Sequence, residues 1–380
     1  MKKYYLAFFG LLMPLFLFAG WENRNITSGG HARTFRLYIP VNYSASESYS
    51  LIIGIHGLGD NMTDFSNYMS DFQSIADTAR IIIAYPQGMS NAIIGNGWNA
   101  GAGALGIYPS EQYDDKLFID DIVDSLQAQY PIIPQQTYLF GFSNGGFMTQ
   151  RIACENNGKF YGFASYAGTI GNKILACNPA RKVPLIHFHG TQDVNVGYTS
   201  NLFGIGVDST MKIWENNNGC NGYDIFQVAD SKPDGFTVEH YVYKDCNQPV
   251  ELFKVNDAAH IILQYNQHDI SYALETWLFF LRARNFPGLN QPSYAQAKLH
   301  LYPIPASDFI KVELPETFDK STTFRTEIWD YSGKKMPINP SELQGDGVHT
   351  INTKDFAPGL YILKLNDGKQ SYTAKFTVMH

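Results

Sequence analysis

Hydrophobic residues in the first 286 positions follow two alternating patterns. Short, nearly continuous apolar runs rich in β-branched residues are typical of strands buried on both faces of a parallel sheet. Between them, apolar residues recur at helical spacing, as in Asp114–Tyr130 and Asp269–Arg284. The strand candidates are Tyr49–Gly57, Arg80–Pro86, Tyr138–Phe140, Phe163–Gly168, Val183–Gly190 and Val250–Val255. This alternation predicts repeated βαβ units, and so an α/β fold with a doubly wound, mostly parallel sheet.

A different pattern occupies residues 299–380. There apolar and polar residues alternate, and turn signals stand at Tyr331–Gly333 and Asn366–Gly368. The pattern predicts a small, sandwich-like, all-β domain. Residues 287–298 contain two prolines and a glycine and predict a linker. The α/β domain is therefore expected to extend over residues 21–286.

The N-terminus has the pattern of a targeting segment. Lys2 and Lys3 precede an apolar run, and the small residues Ala19 and Gly20 follow it. These features predict a secretory signal peptide over residues 1–20. A membrane anchor is the alternative, but the run is shorter than the ~20 residues that a spanning helix needs. We therefore expect an exported protein, secreted or at the cell surface, without a stable membrane span.

Charge and composition narrow the possible partners. The chain has a net charge of -7 and no basic cluster, which argues against a nucleic-acid partner. Aromatic residues make up 14% and charged residues 17% of the chain. This balance suits either an aromatic core or contact with a polymer surface.

Four cysteines lie in the central region at spacings that match no zinc site. Because an exported protein meets an oxidising environment, we expect disulfides, and three pairings are open. The short loops that they close favour Cys154 with Cys177 and Cys220 with Cys246. Free buried thiols are the alternative.

A glycine-rich turn, Gly141-Phe142-Ser143-Asn144-Gly145, separates a strand candidate from a segment of helical spacing. So tight a junction needs small residues two positions before and two after the central serine, and Gly141 and Gly145 supply them. The turn would raise the Ser143 hydroxyl above the sheet edge at a helix N-terminus, which favours a developing negative charge. Ser143 is thus a candidate nucleophile, although an ordinary glycine-rich turn could also contain a serine.

A serine nucleophile needs a histidine base and a carboxylate that orients the base. Asp193 is the first carboxylate after the Val183–Gly190 strand candidate, and His260 follows the last strand candidate. Both would lie at the carboxyl edge of the sheet, where ligand sites of such folds occur. Asp193 could alternatively form an Asx turn. Asp257 is the alternative acid, and His268 is the alternative base.

Two further segments should lie above the same edge. The corner His56–Asp60 can aim a backbone N–H at the space above the sheet, although it could be an ordinary strand-to-helix turn. The loop over residues 87–110 is long and rich in glycine, and loops of this length are usually functional or disordered. Trp98, inside that loop, is predicted to wall a substrate pocket. Asp114 and Asp115 are interpreted as helix caps rather than catalytic groups.

Several motifs together resemble the secreted esterase family of LpqC-type polyhydroxybutyrate depolymerases, feruloyl esterases and acetylxylan esterases. The resemblance runs from about Asn25 to Phe286. It rests on His56-Gly57, Asp114-Asp115, Gly141–Gly146, Cys154, Cys177–Pro179, His189–Asp193, Cys220, Cys246 and His260. It implies an α/β-hydrolase fold, in which a triad is expected in the order Ser, Asp, His along the chain.

The family pattern also implies a role for each matching position. Ser143 would be the nucleophile, Asp193 the acid and His260 the base. The N–H groups of Leu58 and Asn144 would form the oxyanion hole. The implied reaction is hydrolysis of a carboxylic ester, and the implied partner is a polymer-linked ester substrate. No metal or cofactor is implied.

Two other classes of protein share parts of these features. One is a serine peptidase with the same fold and triad, and the other is a non-catalytic, hydrolase-like protein that binds glycans.

The tail resembles the C-terminal sorting domain of the bacterial type IX secretion pathway, which implies the secretion machinery as a partner. The segments that carry this likeness are Leu301–Asp308, Ile328–Gly333, Pro358–Leu363 and Lys375–Val378. A carbohydrate-binding module is the alternative for the tail.

Overall fold

The computed structural model describes residues 19–92, 94–155, 158–264, 266–284, 299–303, 306–313, 325–330, 335–338, 348–357, 359–366 and 371–378. The predicted linker and all but the end of the predicted signal peptide lie outside the described residues. Within the described ranges, every helix is too short or too polar to cross a bilayer.

The larger, N-terminal part alternates strands and helices. Its strands are β1 (Gly20–Ser28), β2 (His31–Ile39), β3 (Tyr49–Ile55), β4 (Ile81–Pro86), β5 (Met89–Asn91), β6 (Gly95–Gly97), β7 (Ile132–Phe142), β8 (Phe163–Tyr166), β9 (Leu185–Gly190), β10 (Tyr223–Gln227), β11 (Thr237–Tyr243) and β12 (Val250–Asn256). Its helices are α1 (Met62–Tyr68), α2 (Ser70–Ala79), α3 (Asp115–Gln129), α4 (Asn144–Glu155), α5 (Val207–Asn218) and α6 (Tyr272–Arg284).

Ten of these strands form one sheet in the order β1-β2-β4-β3-β7-β8-β9-β12-β11-β10. The six central strands, from β4 to β12 in that order, run parallel. Antiparallel strands extend the sheet at both sides, with β2 and β1 beyond β4 and with β11 and β10 beyond β12. Strands β5 and β6 form a separate hairpin. The predicted mostly parallel sheet is therefore confirmed.

Helices cover both faces of the sheet. On one face, α3, α4 and α5 contribute Phe118, Met148 and Trp214 to one apolar core. On the other face, α2 and α6 contribute Phe72 and Trp277 to a second core. Every residue of β3, β4, β8 and β9 is buried, because these strands lie between the two cores. Burial on both faces explains why their sequences are continuously apolar rather than alternating.

The carboxyl ends of the six parallel strands bring six loops to one edge of the sheet, and five of these loops contain predicted site residues. These five loops follow β3, β4, β7, β9 and β12. Each contains one predicted site residue, in the order Leu58, Trp98, Ser143, Asp193 and His260. The topology therefore gathers at one edge residues that are far apart in the sequence.

A buried ion pair holds the long loop after β4. Arg33 Nη2 donates to Asp115 Oδ1 at 2.8 Å, and both side chains are buried. Asp115 Oδ2 accepts from the backbone N–H of Asn99 at 2.8 Å, so one carboxylate joins β2, α3 and the loop. Asp114 accepts from the Leu117 N–H and caps α3. The interpretation as a helix cap is therefore right for Asp114, whereas Asp115 anchors the loop.

Two disulfides fix segments outside the sheet. Cys154–Cys177 joins the last turn of α4 to the segment before β9, with the Cα atoms 5.0 Å apart. Cys220–Cys246 joins the segment after α5 to the loop between β11 and β12, with the Cα atoms 4.0 Å apart. This is the pairing that the short loops favoured, and the described residues contain no free cysteine.

In its described residues, the C-terminal part contains strands and no helix. They are β13 (His300–Tyr302), β14 (Phe309–Glu313), β15 (Arg325–Asp330), β16 (Val348–Asn352), β17 (Gly359–Asn366) and β18 (Ser371–Val378). Two three-stranded antiparallel sheets form, in the orders β13-β14-β16 and β15-β17-β18. Both sheets contribute to one apolar core that includes Ile310, Ile328 and Leu363. The predicted small all-β domain is confirmed.

A buried carboxylate links three elements of the larger domain. Glu251 on β12 is 4% exposed, accepts from Arg282 of α6 at 2.7 Å and pairs with His240 of β11 at 2.8 Å. Burial opposes its ionisation, but Arg282 and His240 lower the pKa of Glu251 from 4.5 to about 2. The carboxylate therefore contributes stability that is complete above its ordinary pKa and is lost as the pH falls through the folded-state value.

We expect Glu251→Gln to lower the free energy of unfolding near pH 7 by about 3 kcal/mol, because Arg282 and His240 lose their buried charged partner. The difference from the wild type should shrink towards about pH 2, where the wild-type carboxylate also becomes neutral. Urea titrations near neutral pH and in acid measure both effects.

The matched control is Glu239→Gln on the neighbouring strand β11. Glu239 is more exposed, and its pair with Lys254 contributes at most about 1 kcal/mol. Equal stability of Glu251→Gln and the wild type at neutral pH would show that the buried cluster does not stabilise the fold.

Candidate active site

Ser143 lies in the turn between β7, which ends at Phe142, and α4, which begins at Asn144. Its φ angle is 55°, in the left-handed region that residues other than glycine rarely adopt. The Ser143 N–H donates to Tyr166 O on β8 at 2.8 Å and holds the turn in this conformation. Strained backbone of this kind clusters at functional sites. The local structure is the strand–turn–helix junction predicted from the glycine spacing.

Two glycines allow the turn to approach β3. A Cβ on Gly141 would clash with the carbonyl of Gly145, and a Cβ on Gly145 would clash with the carbonyl of Ile55 at the end of β3. A Cβ on Gly57 would lie 3.4 Å from Ser143 Cβ. The serine side chain therefore lies directly beside the corner that follows β3.

Asp193 and His260 form a close pair in the loops after β9 and β12. His260 Nδ1 is 2.6 Å from Asp193 Oδ2. The other carboxylate oxygen, Oδ1, accepts from the N–H groups of Asn195 and Val196 at 2.9 and 2.8 Å. Asp193 therefore forms an Asx turn and binds the histidine with the same carboxylate, so the two roles considered for it coexist.

Several donors keep the Asp193 carboxylate charged. The side chain is buried, and burial alone would raise its pKa. Hydrogen bonds from His189, His260 and the Val196 N–H outweigh that effect and hold the pKa of Asp193 well below its ordinary value. The carboxylate is thus an ionised acceptor for His260 at neutral pH.

Backbone hydrogen bonds hold the loops of Asp193 and His260 against each other. Gln192 N–H donates to Ala258 O at 2.9 Å. Asp257 N–H donates to the hydroxyl oxygen of Thr191 at 2.9 Å. Asp257 is exposed, and its φ angle of 65° places it at a sharp turn. Asp257, the alternative acid, therefore lies in the turn that carries His260, whereas the Asp193 carboxylate contacts the imidazole itself.

The His260 ring lies against the turn between β7 and α4 that contains Ser143. Its centroid is 4.7 Å from that of Phe142, the residue before Ser143. Among the described residues, Ser143 Oγ makes no hydrogen bond, so the structure brings the candidate acid and the candidate base together but leaves the serine unpaired. Hydrogen bonds between catalytic groups are often long in ligand-free enzymes and tighten when substrate binds.

The other histidines near this edge have partners of their own. His56 is fully buried, with Nδ1 2.7 Å from Gly57 O and Nε2 accepting from the Gly88 N–H at 2.9 Å. Burial lowers the pKa of His56 to about 4, so its ring is neutral near pH 7. His268, the alternative base, pairs instead through Nδ1 with Asp234 at 3.0 Å.

Two backbone N–H groups near the β7–α4 turn have no acceptor among the described residues. Asn144 is the first residue of α4, so its N–H has no partner within the helix. In the corner after β3, the Gly59 N–H donates to Asn96 O, whereas the Leu58 N–H remains unpaired. A Cβ on Gly97 would lie 2.9 Å from Leu58 Cδ1 and 3.4 Å from Asn144 Oδ1, so these two residues lie close together.

The prediction that Trp98 walls a substrate pocket is wrong. Its side chain is fully buried, and its indole N–H donates to His56 O at 2.9 Å. Its backbone N–H donates to Asn144 Oδ1 at 2.8 Å. A buried tryptophan needs an acceptor for its N–H, and the corner after β3 supplies one. Trp98 therefore ties the corner to the start of α4 rather than facing solvent.

One contact of the candidate acid was not predicted from the sequence. His189 Nε2 lies 3.4 Å from Asp193 Oδ2, whereas the sequence placed His189 only in the Val183–Gly190 strand candidate and in the family motif. The available signal was the spacing of four residues between a strand-end histidine and the carboxylate that follows it.

Several known proteins are similar to this chain in sequence. Residues 26–302 match the family described as "Putative esterase". NocK of Nocardia uniformis subsp. tsuyamanensis, which bears the same description, is 28% identical over 171 residues, 45% of this chain and 48% of NocK. Feruloyl esterase C of Emericella nidulans is 26% identical over 254 residues, 67% of this chain and 85% of that enzyme. The chain thus spans about half the length of NocK.

A solved structure of an acetyl xylan esterase from Aspergillus awamori aligns with 64% of this chain and 96% of its own, at 14% identity and a TM-score of 0.48. Residues 300–379 match the secretion system C-terminal sorting domain, which confirms the resemblance of the tail and marks the protein as exported. The family match over residues 26–302 covers well over half of the chain. The chain therefore belongs to the esterase family, a family of carboxylic ester hydrolases with the α/β-hydrolase fold.

Proposed function

We propose that this protein is an exported serine esterase in which Ser143, Asp193 and His260 act as a catalytic triad. The observation that carries the proposal is the 2.6 Å contact between His260 Nδ1 and Asp193 Oδ2, next to a serine on a strained turn. A carboxylate bound to Nδ1 leaves the other ring nitrogen able to accept a proton. Membership of the esterase family supports an ester as the substrate, rather than a peptide or an uncleaved glycan.

In the proposed reaction, His260 Nε2 removes the hydroxyl proton as Ser143 Oγ attacks the ester carbonyl carbon. The N–H groups of Leu58 and Asn144 donate to the oxyanion of the tetrahedral intermediate. When this intermediate collapses, the acyl–oxygen bond breaks and the His260 imidazolium protonates the leaving alcohol. His260 then deprotonates a water molecule, which hydrolyses the acyl-enzyme and restores Ser143. Asp193 stays ionised and fixes the orientation of the imidazole.

The proposed substrates are esters carried by a polymer. Feruloyl and acetyl xylan esterases are among the proteins that this chain resembles, and polyhydroxyalkanoate esters would use the same chemistry. Exposed apolar side chains on the loops at the carboxyl edge support a hydrophobic contact with such a polymer. Leu58, Leu105 and Leu202 are 44%, 96% and 75% exposed. Asn172 Nδ2 donates to Gly103 O and to Leu202 O, which joins two of these loops.

The division of the chain also has a proposed functional meaning. Residues 1–20 would direct export, residues 21–286 would carry the esterase site, and residues 287–298 would link it to the C-terminal domain. Residues 299–380 would then engage the type IX secretion machinery and take no part in catalysis. The match of residues 300–379 to the sorting domain supports this role.

One purified sample assayed against methyl ferulate, acetylated xylan and short hydroxybutyrate oligomers would distinguish the ester classes. A single strongly preferred ester would identify the substrate class. Absence of turnover with all three and with a small chromogenic ester, in protein that is folded, would contradict the esterase proposal.

We expect Ser143→Ala to lower kcat on a small chromogenic ester by at least about 10³-fold, because the acyl-enzyme can no longer form. Thermal unfolding should remain close to that of the wild type. Ser125→Ala on α3 is the matched control and should retain full activity and labelling by a fluorophosphonate probe. Wild-type turnover in Ser143→Ala would end the triad proposal.

We expect Asp193→Asn to lower kcat by about 10³- to 10⁴-fold, because the amide favours the wrong tautomer of His260. The substitution can keep Oδ1 as acceptor for the Asn195 and Val196 N–H groups, so the turn should persist.

The control for this variant is Asp257→Asn, which changes the nearby exposed carboxylate on the same loop pair. Asparagine tolerates the positive φ at that position, so the fold should be unaffected. Steady-state kinetics of the two variants decide between the acids. A larger loss of kcat in Asp257→Asn than in Asp193→Asn would assign the role to Asp257.

A further inference from the structure

Two fully buried histidines lie next to the proposed acid. His187 and His189 are both 0% exposed and lie two residues apart on β9, so they face the same side of the sheet. His187 Nε2 is 3.1 Å from His189 Nδ1. His189 Nε2 is 2.8 Å from Val196 O and 3.4 Å from Asp193 Oδ2. A chain of polar contacts thus leads from His187 to the carboxylate that binds His260.

The chemistry of the partners assigns the protons in this chain. Val196 O can only accept, so His189 Nε2 carries a proton. The proton between the two rings belongs to His187 Nε2, because a proton on His187 Nδ1 would be a buried donor without an acceptor in the described part of the chain. His187 Nδ1 is then an acceptor, and it is buried without a partner in the described part of the chain. Burial and the neighbouring His189 hold the pKa of His187 well below its ordinary value, so the ring stays neutral.

Packing alone does not explain this arrangement. A buried nitrogen without a partner is costly, and an apolar ring of the same shape would avoid the cost. On the same face of β9, the neighbouring buried residue is the apolar Leu185. The unpartnered His187 Nδ1 lowers the stability of the fold, whereas an apolar aromatic ring at this position would not. This cost suggests that the hydrogen bonds of the histidine pair serve the adjacent site.

The pair acts on the turn that carries the acid. Asp193 Oδ1 accepts from the Val196 N–H, and His189 donates to the carbonyl of the same residue. Asp193 therefore holds the N–H of Val196, and His189 holds its carbonyl oxygen. The His189 N–H also faces the oxygen that binds His260 Nδ1. Loss of this donor would allow the carboxylate and its turn to rotate away from His260.

We propose that His187 and His189 are positioning residues for ester hydrolysis: His189 fixes Asp193 against His260, and His187 fixes the tautomer and orientation of His189. This inference rests on the proposed function, because it gives Asp193 the role of the acid. Neither histidine exchanges a proton with the substrate in this account.

The test compares four variants with the wild type. His189→Phe keeps a ring but removes the donor, and His189→Gln returns a donor amide near the position of Nε2. His187→Phe removes both the donor to His189 and the unpaired nitrogen. His240→Phe is the control, because His240 is a histidine on β11 that pairs with Glu251 and lies outside the proposed site. For each variant we would measure kcat and KM on a chromogenic ester, the unfolding temperature, and the downfield proton resonance of His260 Nδ1–H. The loss of this resonance in Asp193→Asn assigns it.

We expect His189→Phe to lower kcat by about 10- to 100-fold through misplacement of the base, with little change in KM. The His260 resonance should shift or broaden, and His189→Gln should restore most of kcat and the resonance. His187→Phe should also lower kcat and change the resonance. Its unfolding temperature should change little, because the substitution removes the unpaired His187 Nδ1 but leaves His189 Nδ1 without a donor. His240→Phe should lower the unfolding temperature and leave kcat and the resonance unchanged.

Wild-type kcat and an unchanged His260 resonance in His189→Phe would overturn the proposal. If that variant does not fold, the same result in His187→Phe would overturn it. The resonance separates this inference from the proposed function. A wild type that shows the resonance but no ester turnover would contradict the esterase, whereas a changed resonance in His189→Phe would still support positioning of Asp193.

Discussion

The close approach of the β7–α4 turn to the end of β3 is the constraint on which the candidate site depends. Neither Gly141 nor Gly145 has space for a side chain, because backbone carbonyls occupy the position that a Cβ would take. This approach places Ser143 beside the corner that contains Leu58, with the first N–H of α4 next to it. The positive φ of Ser143 costs energy, and the surrounding strands, buried on both faces, are rigid enough to maintain it.

Two buried carboxylates of the larger domain stay ionised by different means. Glu251 has Arg282 and His240 as partners, so opposite charge compensates for its burial and the cluster joins elements of the fold. Asp193 has no lysine or arginine partner in the part of the chain that the structure describes; backbone and imidazole N–H donors surround it. Arg282 donates to both oxygens of Glu251 and its charge offsets the burial, so this cluster joins β11, β12 and α6. Asp193 instead binds its own turn through Oδ1 and His260 through Oδ2, an arrangement that suits the proposed orientation of the histidine.

Much of the architecture was predictable from local pattern. Continuous apolar runs such as Tyr49–Gly57 can be buried only between two layers of helices, so they identify parallel strands without any knowledge of their order. Gly141 is required by a clash with Gly145 inside the turn, whereas Gly145 is required by the approach of Ile55 on β3. The sequence contains both glycines, but only the fold shows that approach. The candidates Asp193 and His260 followed from one topological rule, that parallel strands end at the same edge of a sheet.

The sequence by itself determined the two-domain pattern, the βαβ repeats, the glycine-flanked turn at Ser143 and the identity of the residues that follow the strand ends. Each of these features depends mainly on neighbours in the chain. Only the tertiary structure decided the direction of individual side chains within the loops. It turned Trp98 into the core to meet His56 O, paired Asp115 with Arg33 and set His189 beside Asp193. These outcomes depend on hydrogen-bond partners contributed by distant segments, and a buried polar group takes whichever partner the assembled fold brings within reach.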